Sequence, residues 1–113
     1  MARIEAVFIH EGGAIDYIPA ADVEAGEVVV LGDLVGVAKQ PIAANQLGTL
    51  AVEGVFDFAK ATGTGTALSI GTVVYWNNTT KVVTTLPTGN KLLGKVVRAA
   101  VDTDTTVRVR LSQ

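Results

Sequence analysis

Cysteine is absent from the 113 residues, while histidine, tryptophan and methionine occur once each. Without cysteine there is neither a disulfide framework nor a Cys-based zinc site. Long apolar runs are missing too. Ala6–Ile9 is four residues long and is closed by His10 and Glu11, too short for the hydrophobic region of a signal peptide. The richest apolar stretch, "VVVLGDLVGVA", is cut by Gly32 and Asp33, which argues against a membrane-spanning helix. Cytoplasmic synthesis and residence are the default expectation. A sustained 3.6-residue period is also lacking. At this length the chain reads as one domain, burying roughly two-thirds of its unfolded surface.

Net charge is only −2, but its distribution is uneven. Residues 1–57 hold nine of the eleven acids against Arg3 and Lys39, and residues 58–113 hold seven bases against Asp102 and Asp104. Either interleaved strands neutralise one another within one fold, or opposite patches meet across a subunit contact. Scattered bases in an acidic chain argue against a nucleic-acid partner.

What the chain does have is a period of two, punctuated by glycine. In "TLAVEGVFDF", Leu50, Val52, Phe56 and Phe58 fall on one face and Thr49, Glu53 and Asp57 on the other, as in a single half-buried strand. "TVRVRLS" repeats the pattern, with Val107, Val109 and Leu111 inward and Arg108 and Arg110 outward. "EVVVLGDLVGVAK" reads as two strands joined at Gly32-Asp33 by a type II′ turn, whose first central residue needs positive φ. "ADVEAG", "QPIAANQLG" and "TTLPTGNK" read as loops or turns, and "KATGTGTALSIG" as a loop with at most a short helical turn. The expected fold is mainly β: a small single-domain barrel or sandwich with hairpins and at most one or two helical turns.

No catalytic constellation emerges. "GNKLLGK", Gly89–Lys95, fits seven positions of a phosphate-binding loop, but Val96 replaces the magnesium-holding hydroxyl and the following residues lack a helical face. "GTGTAL" opens like a dinucleotide fingerprint, but Leu68 stands in place of its third glycine. His10 would need a serine partner, and Ser69 and Ser112 lie in no nucleophile-elbow sequence. Asp16, Asp22, Glu24 and Glu27 match no calcium-loop spacing, and "DTDTT" reads as a polar turn. With no acid, base and stabiliser to assemble into a site, the expectation is a binding or structural protein with no catalytic residue, cofactor or metal.

The one tryptophan lies in "GTVVYWNNTTKVVTT". As a hairpin with a loop at Asn77–Thr80, this stretch sets Trp76 opposite Lys81, Tyr75 opposite Val82 and Val74 opposite Val83. Trp76, Lys81, Val74 and Val83 then share a face, and a cation–π contact between Trp76 and Lys81 is available at the hairpin end. Trp76 is either a core side chain or an anchor at a contact.

The ordered pieces "AGEVVVLGDLVGVA", "GTLAVEGVFDFAKATGT", "GTVVYWNNTTKVVTT", "NKLLGKVVRAA" and "TTVRVRL" together resemble a family of tailed-phage and prophage proteins. These are the capsid cement, or head decoration, proteins, formerly labelled a predicted recombinase. The resemblance runs from Tyr17 to Leu111; Asn77 stands where the family usually has Asp. It implies a non-enzymatic virion protein on the capsid surface, assembled in the host bacterial cytoplasm. Its partners would be the major capsid protein and two further copies in a homotrimer, with no nucleic acid and no membrane. Residues 1–12 lie mostly outside the pattern, which suggests an N-terminal arm that orders on the shell, with residues 13–113 as the domain. The alternative is that they form the first strand of the domain's own sheet. Ile4, Val7, Phe8, Ile9, Trp76 and Lys81 are the candidate shell or subunit contacts. Two other functions remain: a nucleotide-dependent DNA-processing protein using Gly89–Lys95, or a glycan-binding head or tail adhesion module using Tyr17, Tyr75 and Trp76.

Overall fold

The structure, a computed structural model, describes residues 5–113. Those residues form nine strands and no helix: β1 Ala14–Tyr17, β2 Val28–Leu31, β3 Leu34–Val37, β4 Gly48–Ala51, β5 Gly54–Ala59, β6 Val73–Asn77, β7 Val82–Thr84, β8 Lys91–Arg98 and β9 Thr106–Leu111. One antiparallel sheet has the order β1-β4-β3-β2, the other β5-β9-β8-β6-β7. The edge strands β5 and β7 form no ladder with each other, and the one bridge there runs from Lys60, just past β5, to Val83, so the larger sheet does not close into a barrel. The architecture is a β-sandwich.

Side-chain alternation explains why two layers form. Val35 and Val37 of β3 face the larger sheet and join Phe58, Val74, Trp76, Leu93, Val96, Val107, Val109 and Leu111 in the main core. The aromatic rings form a chain, with Phe58 centred 6.0 Å from both Phe56 and Trp76. The other face of the smaller sheet is apolar as well. Leu50, with Ile15, Tyr17 and Val29, packs under Val23, Ala38 and Ile42 from the flanking loops. Backbone bonds of 2.8 Å in both directions between Val23 and Ile42 clip those loops together. In β2 both faces are covered, Val28 and Val30 packing on the main core and Val29 on the smaller cluster, which accounts for its unbroken "VVV".

The Gly32-Asp33 turn is as expected: Leu31 pairs with Leu34, and Gly32 takes a φ of 60°. "TLAVEGVFDF" needs correcting. It is two strands in different sheets, β4 and β5, with the chain crossing over at Val52-Glu53. The period of two survives, since Leu50 and Phe58 are buried and Thr49, Glu53 and Asp57 are exposed. Alternation reports which face a side chain takes, and says nothing of which sheet that face belongs to.

Two local contacts fix the arrangement, one within the larger sheet and one between the sheets. At Gly94 in β8, a Cβ would lie 1.9 Å from the carbonyl oxygen of Arg110 and 3.1 Å from the Ser112 nitrogen, a space no other residue can share. At the chain's end, the Gln113 side-chain oxygen accepts the Val35 N–H at 2.7 Å, and its amide donates to the Val35 carbonyl at 2.5 Å. The Gln113 amide thus acts as a substitute strand partner, joining the end of β9 to the middle of β3.

Gly94→Ala is expected to cost more than about 3 kcal/mol, because the β9 backbone it meets is paired on both sides. Gly12→Ala, where an added methyl meets nothing within 4 Å, is the control and should stay within about 0.5 kcal/mol. Gln113→Ala should cost about 1–2 kcal/mol by leaving both backbone groups of the buried Val35 unpaired. Urea unfolding midpoints measure all three.

Candidate functional site

Three of the acids weighed as cation ligands are occupied in holding loops. Asp22 Oδ1 accepts the Ala44 N–H at 2.8 Å, Asp104 Oδ2 accepts that of Val101 at 2.9 Å, and Asp102 Oδ1 accepts those of Thr66 and Ala67 at 3.1 and 2.9 Å. His10 is exposed and donates from Nδ1 to the Glu11 carbonyl. Among the described residues no cluster of three or more His, Asp or Glu could hold a metal ion. "GNKLLGK" is a turn that runs straight into β8: Lys91 opens the strand and Lys95 stands exposed on it, cross-strand from Val73 and Arg110. The backbone N–H groups of residues 91–95 therefore lie in a strand, without the helix N-terminus a phosphate cradle uses.

The hairpin keeps the expected faces but not the expected pairs. Trp76 lies opposite Val83 and Asn77 opposite Val82, leaving a four-residue loop of Asn78–Lys81. The Lys81 N–H donates to the Asn77 carbonyl at 2.8 Å, and Lys81 takes a φ of 60° to close the loop. Asn77 Oδ1 accepts the N–H groups of Thr79 and Thr80, the side-chain capping that selects this turn. The pairing shifts by two, and a shift of two leaves every side chain on its face, whereas a shift of one would invert them all. Trp76, Val74 and Val83 are accordingly buried together.

Trp76 is 4% exposed and packs on Phe58, so it presents almost no surface to a partner. Lys81 is in the loop, and in place of a cation–π contact the two side chains share an acceptor. Asn78 Oδ1 takes the Trp76 Nε1–H at 3.2 Å and a Lys81 Nζ–H at 2.7 Å. Val7, Phe8 and Ile9 are all exposed, in a segment, residues 5–12, that belongs to neither sheet. Ile4 lies outside the described residues.

Sequence reasoning missed Lys60, a buried cation. Its Nζ donates to the Ala61 carbonyl at 2.9 Å, Thr66 Oγ1 at 3.1 Å and the Asp104 carbonyl at 3.3 Å, so all three N–H bonds are used. The signal was there: extending the inward row Phe56, Phe58 by two reaches residue 60. Its role is structural, tying the 61–68 loop to the 102–105 turn.

The open surface is the outer face of the larger sheet. Val73, Lys95, Arg110 and Val55 form a cross-strand row, and Tyr75 lies opposite Leu92. Two irregularities on β8 place Leu93 and then Val97 as extra residues relative to the neighbouring strands. Bulges of this kind re-aim side chains. Leu92, Lys95, Val97 and Arg98 emerge exposed, while Leu93 and Val96 enter the core. Ile70, Val73, Leu92 and Val97 line an open groove of about 500 Å³, with Lys95 and Arg110 also on its walls. A second cavity of about 560 Å³ among residues 39–51 has Lys39 as its one titratable side chain.

The uneven charge is partly neutralised within the fold. Lys91 meets Asp33 at 2.8 Å, Arg108 meets Asp57 at 3.0 Å and Arg110 meets Glu53 at 3.9 Å, each pair joining the acidic half to the basic half. Among the described residues Lys95 and Arg98 have no ion-pair partner. The hydrogen bond from Arg108 holds the Asp57 carboxyl below its ordinary value, and the positive charges of Arg108 and Arg98 act in the same direction.

A family model described as phage cement protein matches residues 9–111. No curated protein and no solved structure matches the chain.

The Asp57–Arg108 pair makes a pH-dependent prediction. A carboxylate whose folded pKa is lowered adds stability above its unfolded value, and that contribution is lost as pH falls through the folded value, here below 3.8. Asp57→Asn is expected to be slightly less stable than the parent at pH 7, the pair being exposed, and equal to it near pH 2. Urea midpoints across that range check this; a gap that persists at pH 2 assigns the effect to packing.

Proposed function

Because the chain belongs to the phage cement protein family, we propose that it binds the outside of an assembled phage head and reinforces it. In this reading the protein is a non-enzymatic homotrimer, assembled in the host bacterial cytoplasm, whose partner is the major capsid protein. The observation that carries the reading is the family match over residues 9–111. The chemistry of the fold is compatible with it. The acids cap loops, the buried lysine closes a turn, and what is exposed is apolar surface on a rigid sheet and on the N-terminal segment.

Reinforcement needs no bond-making. A protein that binds only the assembled shell stabilises that state through its binding free energy, and a trimer spanning several shell subunits adds the contributions of each contact. Residues 1–12 act as the arm of a domain formed by residues 13–113, and Val7, Phe8 and Ile9 are its contact side chains.

Purified protein mixed with expanded, undecorated heads is expected to give symmetric added density on the outer surface and heads that survive higher temperatures. Deleting residues 1–12 should abolish this while leaving a cooperatively unfolding domain. Heads that acquire no density at saturating protein would sink the proposal.

A further inference from the structure

We infer that the groove on the outer face of the larger sheet receives the Val7–Ile9 segment of a second copy of this chain. The inference rests on the homotrimer proposed above and names the contact that builds it.

The acceptor is described by its chemistry. Ile70, Val73, Leu92 and Val97 offer an exposed apolar lining, with Lys95 and Arg110 on the groove walls and Arg98 farther along the same strand. Among the described residues Lys95 has no ion-pair partner, and Arg98, which acts on Asp57 only through space, makes no direct ion pair, so this face keeps an excess of positive charge. Both bulges of β8 contribute to the groove, since Leu92 and Val97 flank or occupy them.

The donor matches it in sign and polarity. Val7, Phe8 and Ile9 are three consecutive large apolar residues, 70%, 78% and 79% exposed, and Glu11 closes the run with an acid. An apolar segment ending in a negative charge fits an apolar groove bordered by positive ones. The donor comes from the acid-rich half of the chain and the acceptor from the base-rich half, the arrangement that charge complementarity between subunits requires.

The geometry favours a neighbour over the chain's own groove. Gly12 lines a small cleft with Glu53, Ser112 and Gln113, and Ser112 also lines the groove. The arm therefore leaves the domain beside one end of the groove, yet its apolar side chains remain exposed rather than folding back onto it. Four residues separate Phe8 from Gly12 and reach at most about 14 Å, so an acceptor on another copy must belong to a domain in direct contact. Donor and acceptor are different surfaces, which makes the contact head-to-tail. Such contacts close into rings when the rotation allows it, and three copies make a ring of threefold symmetry.

The absence of native cysteine makes the test clean, because every disulfide must come from an introduced pair. Full-length Phe8→Cys and Leu92→Cys chains, differing in an affinity tag, are mixed under mild oxidation. A covalent heterodimer is expected, forming at least tenfold faster than with Phe8→Cys and Thr49→Cys, the latter on the smaller sheet. The double variant Phe8→Cys/Leu92→Cys should give a ladder ending at the trimer. Since the cysteine removes Phe8 itself, sedimentation provides an independent readout: Phe8→Asp is expected to be monomeric where the parent self-associates, and Lys95→Glu to weaken association in a salt-dependent way. Cross-linking no faster than the control, or a disulfide closed within one chain, overturns the inference. If either occurs while heads still acquire density, arm exchange fails and decoration stands; heads without density remove the proposed function whatever the cross-link shows.

Discussion

The approach of two backbones at Gly94 governs much of the molecule. The Arg110 carbonyl of β9 occupies the space that any side chain at position 94 would need. Beside it, Leu93 is the extra residue relative to β6 and is fully buried in the core. Leu92 and Lys95, on either side, are left facing out. The irregularity at Leu93, with the second one at Val97, shapes both the inward packing of the larger sheet and the outward groove of apolar and cationic side chains. Core and surface are not independent designs here, because a strand's two faces share one backbone.

Around that centre, polar side chains do work that regular secondary structure leaves undone. Lys60, Asp22 and Asp102 satisfy backbone groups in loops with few backbone partners of their own. Gln113 completes the pairing of Val35, a polar link between two sheets that pack mainly through apolar contact. Asn78 receives both the Trp76 indole and the Lys81 ammonium, so the only tryptophan is buried without an unpaired N–H. Buried polar groups left unsatisfied would each cost about 1–3 kcal/mol, a large share of a small domain's stability.

Charge follows the same logic at longer range. Three ion pairs among the described residues join side chains 51 to 58 positions apart: Asp57 with Arg108, Glu53 with Arg110 and Asp33 with Lys91. Interleaving the two halves of the chain neutralises part of each, and of the bases left without a direct ion pair Lys95 and Arg98 stand exposed on β8. The two readings of the charge asymmetry are therefore compatible, one satisfied within the fold and the other left for a partner.

Much of this was legible before any coordinates. Alternation placed Val107, Val109 and Leu111 inward, glycine marked the turn at residues 32–33, asparagine marked the hairpin loop to within one residue of its observed place at 78–81, and the parity of the hairpin put Trp76 and Val83 on one face. These features depend on a residue and its near neighbours, through the two-residue period and the backbone preferences of Gly and Asn, and a one-dimensional chain records them. The sheet each strand joins, the crossing at Val52-Glu53, the β8 bulges that shape the groove and the links made by Lys60 and Gln113 were not. They depend on contacts between segments distant in sequence, where close packing selects one arrangement among many that satisfy the same local pattern. The sequence by itself determined a β protein with inward and outward faces; the tertiary structure decided which outward face is apolar, positively charged and open.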